Sequence, residues 1–542
     1  MKKASFNKLL EILLRPFTKH FLFLIAFFVL ATSPSILLNI EFQGFALNTI
    51  FVIAHCFLLS YLVTILISLI KPDIVRKVIQ GILMVVSAIY FAVNFYCLYG
   101  LGYILDNDIV MLILGSDFNE AREFASVMLP KWIIVSILGI LLVFIALAVL
   151  SRKHRLNLGK KASRLALVGT GLCVAVNAST WDVWGEGPIH YISSLMKYEQ
   201  AEDLTAYYTH PKLTIQDESQ LPCNVVLIIG ESFARSHSSL YGYDKVTNPH
   251  LSALRDSSLL FTIDSIDAPA PTTAESMRLM LSKFSQADDT PSNDKSWFEY
   301  TTIIELMQDC GYDSYWFGNQ ARGSKNNSAN RVFAEACQHQ KFLQQEGSEK
   351  YNVNHDIVLV DSSSQYVHNI KPQEHHFIIY HMMGSHFDFS MRYPKEFARF
   401  KEADYADQPA DHRSTLAAFD NSIFYNDYVV DRIMSLYKDK EAIVIYLPDH
   451  GQVMYRNPQK SWYFAHGNPQ DPVSYALGVE IPFFIYASPL YQQKHPETME
   501  RIKNRQAHPK AWNADDLPYF IMDLIGVTAI NGQDTRDKSV LN

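Results

Sequence analysis

Long apolar stretches dominate the first third of this chain, and a water-soluble core cannot bury so many of them. Five approach the ~20 residues that a helix needs to cross membrane hydrocarbon. They are Phe21–Ile40, Phe45–Ile70, Val78–Tyr99, Trp132–Leu150 and Ala162–Ala178. The fifth is the weakest, since Thr170 and Asn177 dilute it. Residues 1–180 are therefore predicted to form an α-helical membrane domain of about five spans, not a cleaved signal peptide.

Basic residues indicate how these spans are oriented. They cluster before the first span, between the second and third, and between the fourth and fifth, and include Lys3, Lys8, Lys71, Arg76, Arg152 and Lys160. The intervening loops, 41–44 and 101–131, are acidic or nearly neutral. Because basic loops stay in the cytoplasm, the N-terminus is predicted to be cytoplasmic. With five spans, everything after residue 180 lies outside.

Two stretches border the spans without belonging to them. The loop 101–131 contains the apolar run Ile109–Leu114 between acidic residues. It fits a helix along the outer membrane face and, equally well, a plain extracytoplasmic loop. Residues 181–221 intersperse aromatic with polar residues. That composition is typical of a membrane–water interface and predicts an interfacial linker.

Residues 222–542 have ordinary globular composition. Strands are predicted at Val225–Ile229, Leu259–Ile263, Ser314–Phe317, His376–Tyr380, Ala442–Leu447 and Pro482–Tyr486, and helices at Thr273–Phe284, Thr302–Asp309, Ser414–Tyr437 and Asp516–Ile525. This alternation predicts an α/β domain whose sheet is flanked by helices. The net charge of the whole chain is −8, and residues 222–542 contain no basic region. Both facts argue against a nucleic-acid partner.

Two of the predicted strands end abruptly in metal-binding groups. Val225–Ile229 is followed by Gly230 and Glu231, and Ala442–Leu447 by Asp449 and His450. Parallel strands carry their chemistry at the carboxyl edge of a sheet, so these groups are expected to meet there. Carboxylate and imidazole are ligands that zinc accepts. The alternatives are a solvated glutamate and a structural Asp-His turn.

A third stretch, Ala268–Met277, places Thr273 at the start of a predicted helix after a proline-containing lead-in. An ordinary helix cap explains this pattern. A hydroxyl at a helix N-terminus also faces free amides that can receive a phosphate. Thr273 is thus either a cap or a nucleophile for phosphoryl transfer.

These motifs form an ordered set with a family resemblance. Gly230-Glu231-Ser232, Ser239–Tyr243 and Thr247–Pro249 are followed by Thr273–Ser276, Gly384–His386, Arg392–Pro394, Phe419–Ser422, Asp427-Tyr428, Asp449–Gly451 and His466-Gly467. The set resembles the bacterial phosphoethanolamine transferases, which are membrane enzymes of the alkaline phosphatase/sulfatase superfamily. The resemblance extends over the whole chain, since a five-span anchor and an external catalytic domain also fit. It implies an alkaline phosphatase/sulfatase-like fold.

The resemblance also implies residue roles. Zinc ligands fall at Glu231, Thr273, Asp449 and His450, with Thr273 also the nucleophile, and catalytic histidines fall at His386 and His466; substrate-binding positions fall at Asn319, Lys325, Ser116 and Glu120. One zinc ion is expected and a second is possible. A further polar position in the membrane-facing loop, normally Asn, is Leu112 here.

The implied reaction is transfer of phosphoethanolamine from phosphatidylethanolamine to an envelope glycolipid or glycan. The acceptor would be lipopolysaccharide core, lipid A or periplasmic glucan, and the enzyme would sit in the bacterial inner membrane with its catalytic domain in the periplasm. Relatives that act on lipid A commonly carry disulfides around the nucleophile, and none can form around Thr273. Their absence favours core sugars or glucans.

Several other functions remain open. A phosphoglycerol transferase, or another phosphatase- or sulfatase-like hydrolase, would use the same fold. A serine hydrolase at Ser232 is disfavoured because the nucleophile elbow needs glycine where Ala234 stands. A catalytically silent membrane scaffold would not need all four zinc ligands. Three cysteines, Cys223, Cys310 and Cys337, lie outside the spans, so at most one disulfide can form among them, and Cys310–Cys337 is the favoured pair.

Overall fold

The computed structural model describes residues 2–43, 47–101, 131–154, 157–179, 210–216, 221–288, 297–320, 329–344, 354–458 and 471–542. These divide into two compact units. The N-terminal unit holds the described helices up to residue 179, and the C-terminal unit holds the described residues from 210 onward.

The N-terminal unit is helical. Its helices are α1 (Lys2–Thr18), α2 (Phe21–Gln43), α3 (Leu47–Ser68), α4 (Asp73–Tyr96), α5 (Lys131–His154) and α6 (Lys160–Ser179), and a π-helical turn, Cys97–Leu101, follows α4. Helices therefore occupy all five segments predicted as spans. The sequence did not predict α1, which packs through Phe17 against Leu24 and Tyr61 in a small buried cluster.

The number of apolar spans differs from the prediction of five. Among the described residues, only Thr49–Ser68 and Asp73–Tyr99 are long and apolar enough to cross a membrane alone. Phe6–Thr18 and Phe21–Pro34 meet the criterion only together, as one broken span bent by 65°. By length and composition, the described part of this unit thus has two spans, or three if the bent pair is one span. Within α5, Lys131–Val143 is a shorter apolar segment among the described residues.

A seven-stranded mixed sheet forms the centre of the C-terminal unit. Its strands are β2 (Asn224–Gly230), β3 (Leu260–Ile263), β5 (Asp313–Gly318), β6 (His339–Phe342), β7 (His376–His381), β8 (Ala442–Pro448) and β9 (Phe483–Ala487). Their spatial order is β3-β9-β8-β2-β7-β5-β6. The five strands from β8 to β6 are parallel, and β9 is antiparallel to both neighbours. All six predicted strands are present; β6, with a mostly exposed and polar sequence, was not predicted.

Helices cover this sheet. They are α7 (Pro249–Asp256), α8 (Thr273–Leu281), α9 (Ile303–Asp309), α10 (Ala329–Ala336), α11 (Ile357–Asn369), α12 (Arg413–Ser435), α13 (Pro472–Val479), α14 (Pro489–Lys494), α15 (Pro496–Ala507) and α16 (Leu517–Leu524). The short strands β1 (Leu213–Ile215), β11 (Val527–Ile530) and β12 (Gln533–Asp534) form a small sheet, and β4 (Ile266–Asp267) pairs with β10 (Trp512–Asn513). Strand β1 thus joins part of the predicted linker to this unit.

Alternation along β2 explains why the sheet is buried on both faces. Val225, Leu227 and Ile229 belong to one core, together with residues of α8, α9 and α16. Val226 and Ile228 belong to the other, together with residues of α11 and α12. Each fully buried aliphatic side chain contributes about 1.5–3 kcal/mol. The continuous apolar run seen in the sequence is therefore a central strand between two helical layers, which confirms the predicted α/β architecture.

The predicted disulfide between Cys310 and Cys337 is not formed. Both residues are described, and both carry thiols. Cys337 lies just after α10 and its Sγ donates to the carbonyl oxygen of Phe333 at 3.7 Å. The prediction was wrong because pairing by elimination ignored the helices that fix the two side chains.

Candidate functional site

The register of the parallel strands brings the predicted metal ligands together. Gly230 of β2 lies opposite Pro448 of β8, so that Glu231 and Asp449 both follow directly at the carboxyl edge. The amide of Asp449 donates to the carbonyl oxygen of Gly230 at 3.1 Å, which ties the two strand ends to each other. The meeting of strand ends that the sequence predicted is confirmed.

Glu231, Asp449 and His450 form a compact cluster. One ligand atom from each lies within 4.8 Å of the others. Nε2 of His450 lies 3.4 Å from Oε1 of Glu231 and 3.7 Å from Oδ2 of Asp449. Its Nδ1 contacts the carbonyl oxygen of Gly451 at 2.8 Å, which leaves Nε2 facing the two carboxylates. All three side chains are at most 1% exposed.

Burial and mutual charge separate the ionisation behaviour of the cluster. Burial opposes the charge on Glu231, but the hydrogen bond from His450 and the electrostatic influence of His386 and His450 hold its pKa well below the ordinary range. Burial, followed by the negative charge of Glu231, raises the pKa of Asp449 to about 7. Burial disfavours protonated His450, but the two carboxylates raise its pKa to about 9. The two buried carboxylates therefore favour a positive charge between them, which a bound cation could supply.

A metal ion fits these residues. Oδ2 of Asp449 is buried and has no hydrogen-bond partner. An unsatisfied buried carboxylate oxygen is costly unless a cation or donor meets it. Two carboxylates and an imidazole are a donor set that zinc accepts. The arrangement thus favours a zinc ion among Glu231, Asp449 and His450.

Thr273 is the first residue of α8, and its hydroxyl faces the cluster. Its Oγ1 lies 3.3 Å from Oε2 of Glu231. The cap position belongs to Thr272, whose side chain makes no capping hydrogen bond. Ser276, one turn further on, donates to the carbonyl oxygen of Asp449 at 2.5 Å and anchors the helix beside the site. The cap explanation for Thr273 is therefore not supported.

Ser232 is a second hydroxyl beside the cluster. Its Oγ donates to Oε1 of Glu231 at 2.6 Å and lies 3.5 Å from Nε2 of His450. Its φ of 55° places it in the left-handed region, which is strained for a residue with a side chain. Ser232 is only 1% exposed, whereas Thr273 is half-buried. The accessible hydroxyl of the pair is that of Thr273.

The segment after β7 packs tightly onto Glu231. Gly384, at a φ of 47°, lies so close that a Cβ there would approach the backbone nitrogen of Glu231 to 2.8 Å. The amide of Ser385 donates to the carbonyl oxygen of Glu231 at 3.0 Å. His386 follows directly, half-buried, with Nδ1 2.6 Å from the carbonyl oxygen of Phe387. Burial lowers the pKa of His386, so that a neutral imidazole stands near the cluster.

Asn319 lies at the same edge of the sheet, but its side chain is bonded away from the cluster. Asn319, predicted to bind substrate, is fully buried, and its amide donates to Asp356 at 2.8 Å and to the carbonyl oxygen of Asn354. Asp356 in turn accepts from the amides of Met383 and Gly384. Asn319 thus supports the segment after β7, and its substrate contact stays a prediction. His466, Lys325, Ser116 and Glu120 lie outside the described residues.

Sequence reasoning missed Gln320. Its Nε2 donates to Oε2 of Glu231 at 2.8 Å. Its position two residues after β5 was the available signal, because β5 is parallel to β2 and β7 and ends at the same edge. Nothing in the sequence distinguished it from Asn319. His381, fully buried at the end of β7, was also missed.

With this geometry established, comparison with known proteins identifies the fold. The sulfatase family profile matches residues 223–527. The phosphoethanolamine transferase EptC of Escherichia coli O18:K1:H7 (strain RS218 / NMEC) is 25% identical over 504 residues, covering 86% of this chain and 82% of that protein.

Two solved structures share the fold. The C-terminal periplasmic domain of EcEptC from Escherichia coli, in complex with Zn, has a TM-score of 0.53 and 24% identity, covering 62% of this chain and 90% of that one. The integral membrane protein lipooligosaccharide phosphoethanolamine transferase A (EptA) from Neisseria meningitidis has a TM-score of 0.67 and 17% identity, covering 96% and 98%. Because the family match spans more than half of its length and includes every described residue of the cluster, this chain belongs to the sulfatase family.

Proposed function

We propose that this protein transfers phosphoethanolamine from phosphatidylethanolamine to an envelope glycolipid or glycan. The observation that carries the proposal is the half-buried hydroxyl of Thr273 at a helix N-terminus, facing the buried cluster of Glu231, Asp449 and His450. The relationship to a phosphoethanolamine transferase over most of both chains supports the same activity. A lipopolysaccharide-type acceptor has support from the name of the related lipooligosaccharide enzyme.

Zinc is proposed as the cofactor, held by Glu231, Asp449, His450 and the hydroxyl of Thr273. When bound, zinc lowers the pKa of a coordinated hydroxyl and stabilises charge on a phosphoryl oxygen. The zinc complex of the related EcEptC domain supports this choice of metal.

The chain's own residues divide the remaining work. Thr273 Oγ1 loses its proton and attacks the phosphorus of the donor lipid, and the P–O bond to diacylglycerol breaks; diacylglycerol takes up a proton and leaves, and phosphoethanolamine remains on Thr273. The acceptor oxygen then attacks the same phosphorus, the bond to Thr273 Oγ1 breaks, and Thr273 is reprotonated. The free amides at the start of α8 receive phosphoryl oxygens as charge develops. His386, neutral near pH 7 because burial lowers its pKa, accepts the proton of the incoming acceptor hydroxyl. Because phosphoethanolamine stays on Thr273 between the two steps, the donor lipid and the acceptor need not occupy the site together.

The membrane domain is proposed to present this site to the outer side of the bacterial inner membrane. The basic loops predict a cytoplasmic N-terminus, and an odd number of spans then places residues 222–542 in the periplasm. The number of spans is odd if α1 and α2 together form a third span, or if all five predicted spans cross the membrane. With two spans the number would be even. Access to lipopolysaccharide-type acceptors depends on this periplasmic placement of residues 222–542.

The test is mass spectrometry of envelope glycolipids from cells with and without this protein. We expect a mass difference of one phosphoethanolamine, present with the wild-type chain and absent with Thr273→Ala. A phosphoglycerol-sized difference would instead assign the alternative head group. Loss of lipid phosphate without a modified glycolipid would assign a hydrolase, and either result would overturn the proposal.

A further inference from the structure

Gln320 makes a set of contacts that fixes the direction of its amide. Nε2 lies 2.8 Å from Oε2 of Glu231 and 3.0 Å from the carbonyl oxygen of Met382. Oε1 accepts from Nδ2 of Asn330 at 3.0 Å. Both neighbours of the nitrogen are acceptors and the neighbour of the oxygen is a donor. The amide can therefore point only one way without losing three hydrogen bonds.

These contacts join three separate elements around one carboxylate. Gln320 follows β5, Met382 follows β7, and Asn330 lies in α10. Strands β5 and β7 are paired in register, with Gly318 opposite His381, so the position of Gln320 is set by the sheet itself. The donor that reaches Glu231 is consequently carried by backbone that continues directly from a paired strand.

Glu231 has a donor on each oxygen. Gln320 donates to Oε2, and Ser232 donates to Oε1 at 2.6 Å. The terminal torsion of a glutamate is otherwise broad, and its carboxylate plane rotates easily. With both oxygens held, the plane is fixed, and Oε1 is kept 3.4 Å from Nε2 of His450.

We propose that Gln320 is a positioning residue for Glu231 as a metal ligand. It holds Oε2 so that the carboxylate presents one orientation to Asp449 and His450 before the ion arrives. The inference rests on the metal site of the proposed function, and not on the identity of the transferred group. Hydrogen-bond partners of metal ligands typically change metal affinity about 10–100-fold when they are removed.

The test compares two glutamine variants of the full-length protein in detergent. Gln320→Met keeps the length of the side chain and removes the donor. The matched control is Gln308→Met, because Nε2 of Gln308 also makes two hydrogen bonds, to Ser314 at 2.8 Å and to the carbonyl oxygen of Ala336 at 2.9 Å. Gln308 lies in α9, and Ser314 belongs to the opposite end of β5 from the site.

Zinc affinity is measured on metal-stripped protein by competition with a chromophoric chelator, alongside the thermal unfolding temperature. We expect about 10–100-fold weaker zinc binding in Gln320→Met and a change below about twofold in Gln308→Met. The visible spectrum of the Co²⁺-loaded protein should shift only in Gln320→Met, since it reports ligand geometry. Asn330→Leu, which releases the oxygen of Gln320, should weaken binding in the same direction by a smaller factor.

Each outcome decides the matter. Wild-type zinc affinity and an unchanged Co²⁺ spectrum in Gln320→Met would overturn the inference, and so would equal weakening in Gln308→Met, which would indicate general destabilisation. A wild-type chain that binds no zinc would overturn it together with the metal site. If zinc affinity behaves as expected while no phosphoethanolamine transfer is found, the positioning role stands and the proposed function alone fails.

Discussion

Oγ1 of Thr273 stands 3.3 Å from Oε2 of Glu231, longer than a well-formed O–H···O hydrogen bond. The same oxygen already accepts a shorter bond of 2.8 Å from Gln320. The hydroxyl of Thr273 is therefore held near the carboxylate without being locked to it. A nucleophile needs this freedom, because its proton must leave and its oxygen must turn towards phosphorus.

Thr273→Ala should abolish transfer while zinc remains bound through Glu231, Asp449 and His450. Thr273→Ser should retain part of the activity, since it keeps the hydroxyl and loses only the methyl group that restricts χ1. Intact-protein mass spectrometry after exposure to phosphatidylethanolamine should find a phosphoethanolamine adduct on the wild-type chain. An adduct that survives in Thr273→Ala would rule out this nucleophile.

Ser232→Ala should keep substantial activity, because Ser232 is buried and acts through its hydrogen bond to Glu231. The adduct should still map to the peptide that contains Thr273. Tandem mass spectrometry of the digested protein locates it. Mapping to the Ser232 peptide in the wild-type chain would reverse the two roles.

His386→Ala should leave the fold intact and reduce transfer about 100-fold or more, as expected for a general acid–base group. His339→Ala is the control, because His339 is exposed on the outermost strand β6. Initial rates with a fluorescent phosphatidylethanolamine analogue, together with thermal unfolding, separate the two effects. His466→Ala is predicted to behave like His386→Ala. Near-normal turnover in His386→Ala would return that histidine to a structural role.

Gly384→Ala should destabilise the protein more than Gly526→Ala. Both glycines have positive φ, 47° and 89°, so alanine costs each about 1–2 kcal/mol of backbone strain. At Gly526 no atom lies within 4 Å of an added Cβ, whereas at Gly384 the Cβ meets the backbone of Glu231. The overlap adds about 1–3 kcal/mol. Thermal unfolding and zinc affinity should both fall for Gly384→Ala; equal unfolding temperatures would contradict the close approach.

Glu441→Gln should lose stability near neutral pH but not in strong acid. Burial opposes the charge of Glu441, yet His495 at 2.8 Å and Lys494 at 2.5 Å lower its pKa to about 2, from an ordinary 4.5. Because the folded pKa is depressed, the stabilisation is present above 4.5 and is lost as pH falls through about 2. Solvent screens Lys494, so we expect a loss of about 1–2 kcal/mol at pH 7. Thermal unfolding of both proteins from pH 7 to 2 should converge; a constant difference would refute the linkage.

Much of the catalytic fold was predictable because its strands are locally encoded. The runs Val225–Ile229 and Ala442–Leu447 are too apolar and too short for anything but central strands, and their polar ends locate Glu231 and Asp449. Gln320 could not be found this way, since its importance comes from a carboxylate 89 positions earlier in the chain. Local sequence does not record which loop residue reaches across an edge.

The same limit explains the two wrong predictions. Hydropathy located the helices of the membrane domain, but among the described residues only two helices, and one bent pair, are long and apolar enough to count as spans. Cys310 and Cys337 were paired by counting, whereas the position of each thiol is set by the end of a different helix. The number of cysteines in the sequence did not record where these helices end in the fold.

The pairing of β2 with β8 has a consequence for how the cluster forms during folding. Ser232 and His450 approach each other across 218 positions of sequence, so no shorter fragment can assemble the cluster. Contacts between residues so far apart in sequence form slowly, because closing the loop between them costs conformational entropy. A nascent or damaged chain in which β2 and β8 are unpaired thus offers a cation only scattered ligands, and binding of a cation by the cluster would report that these two strands have paired. Cation binding at this cluster would therefore measure correct folding of the central strands.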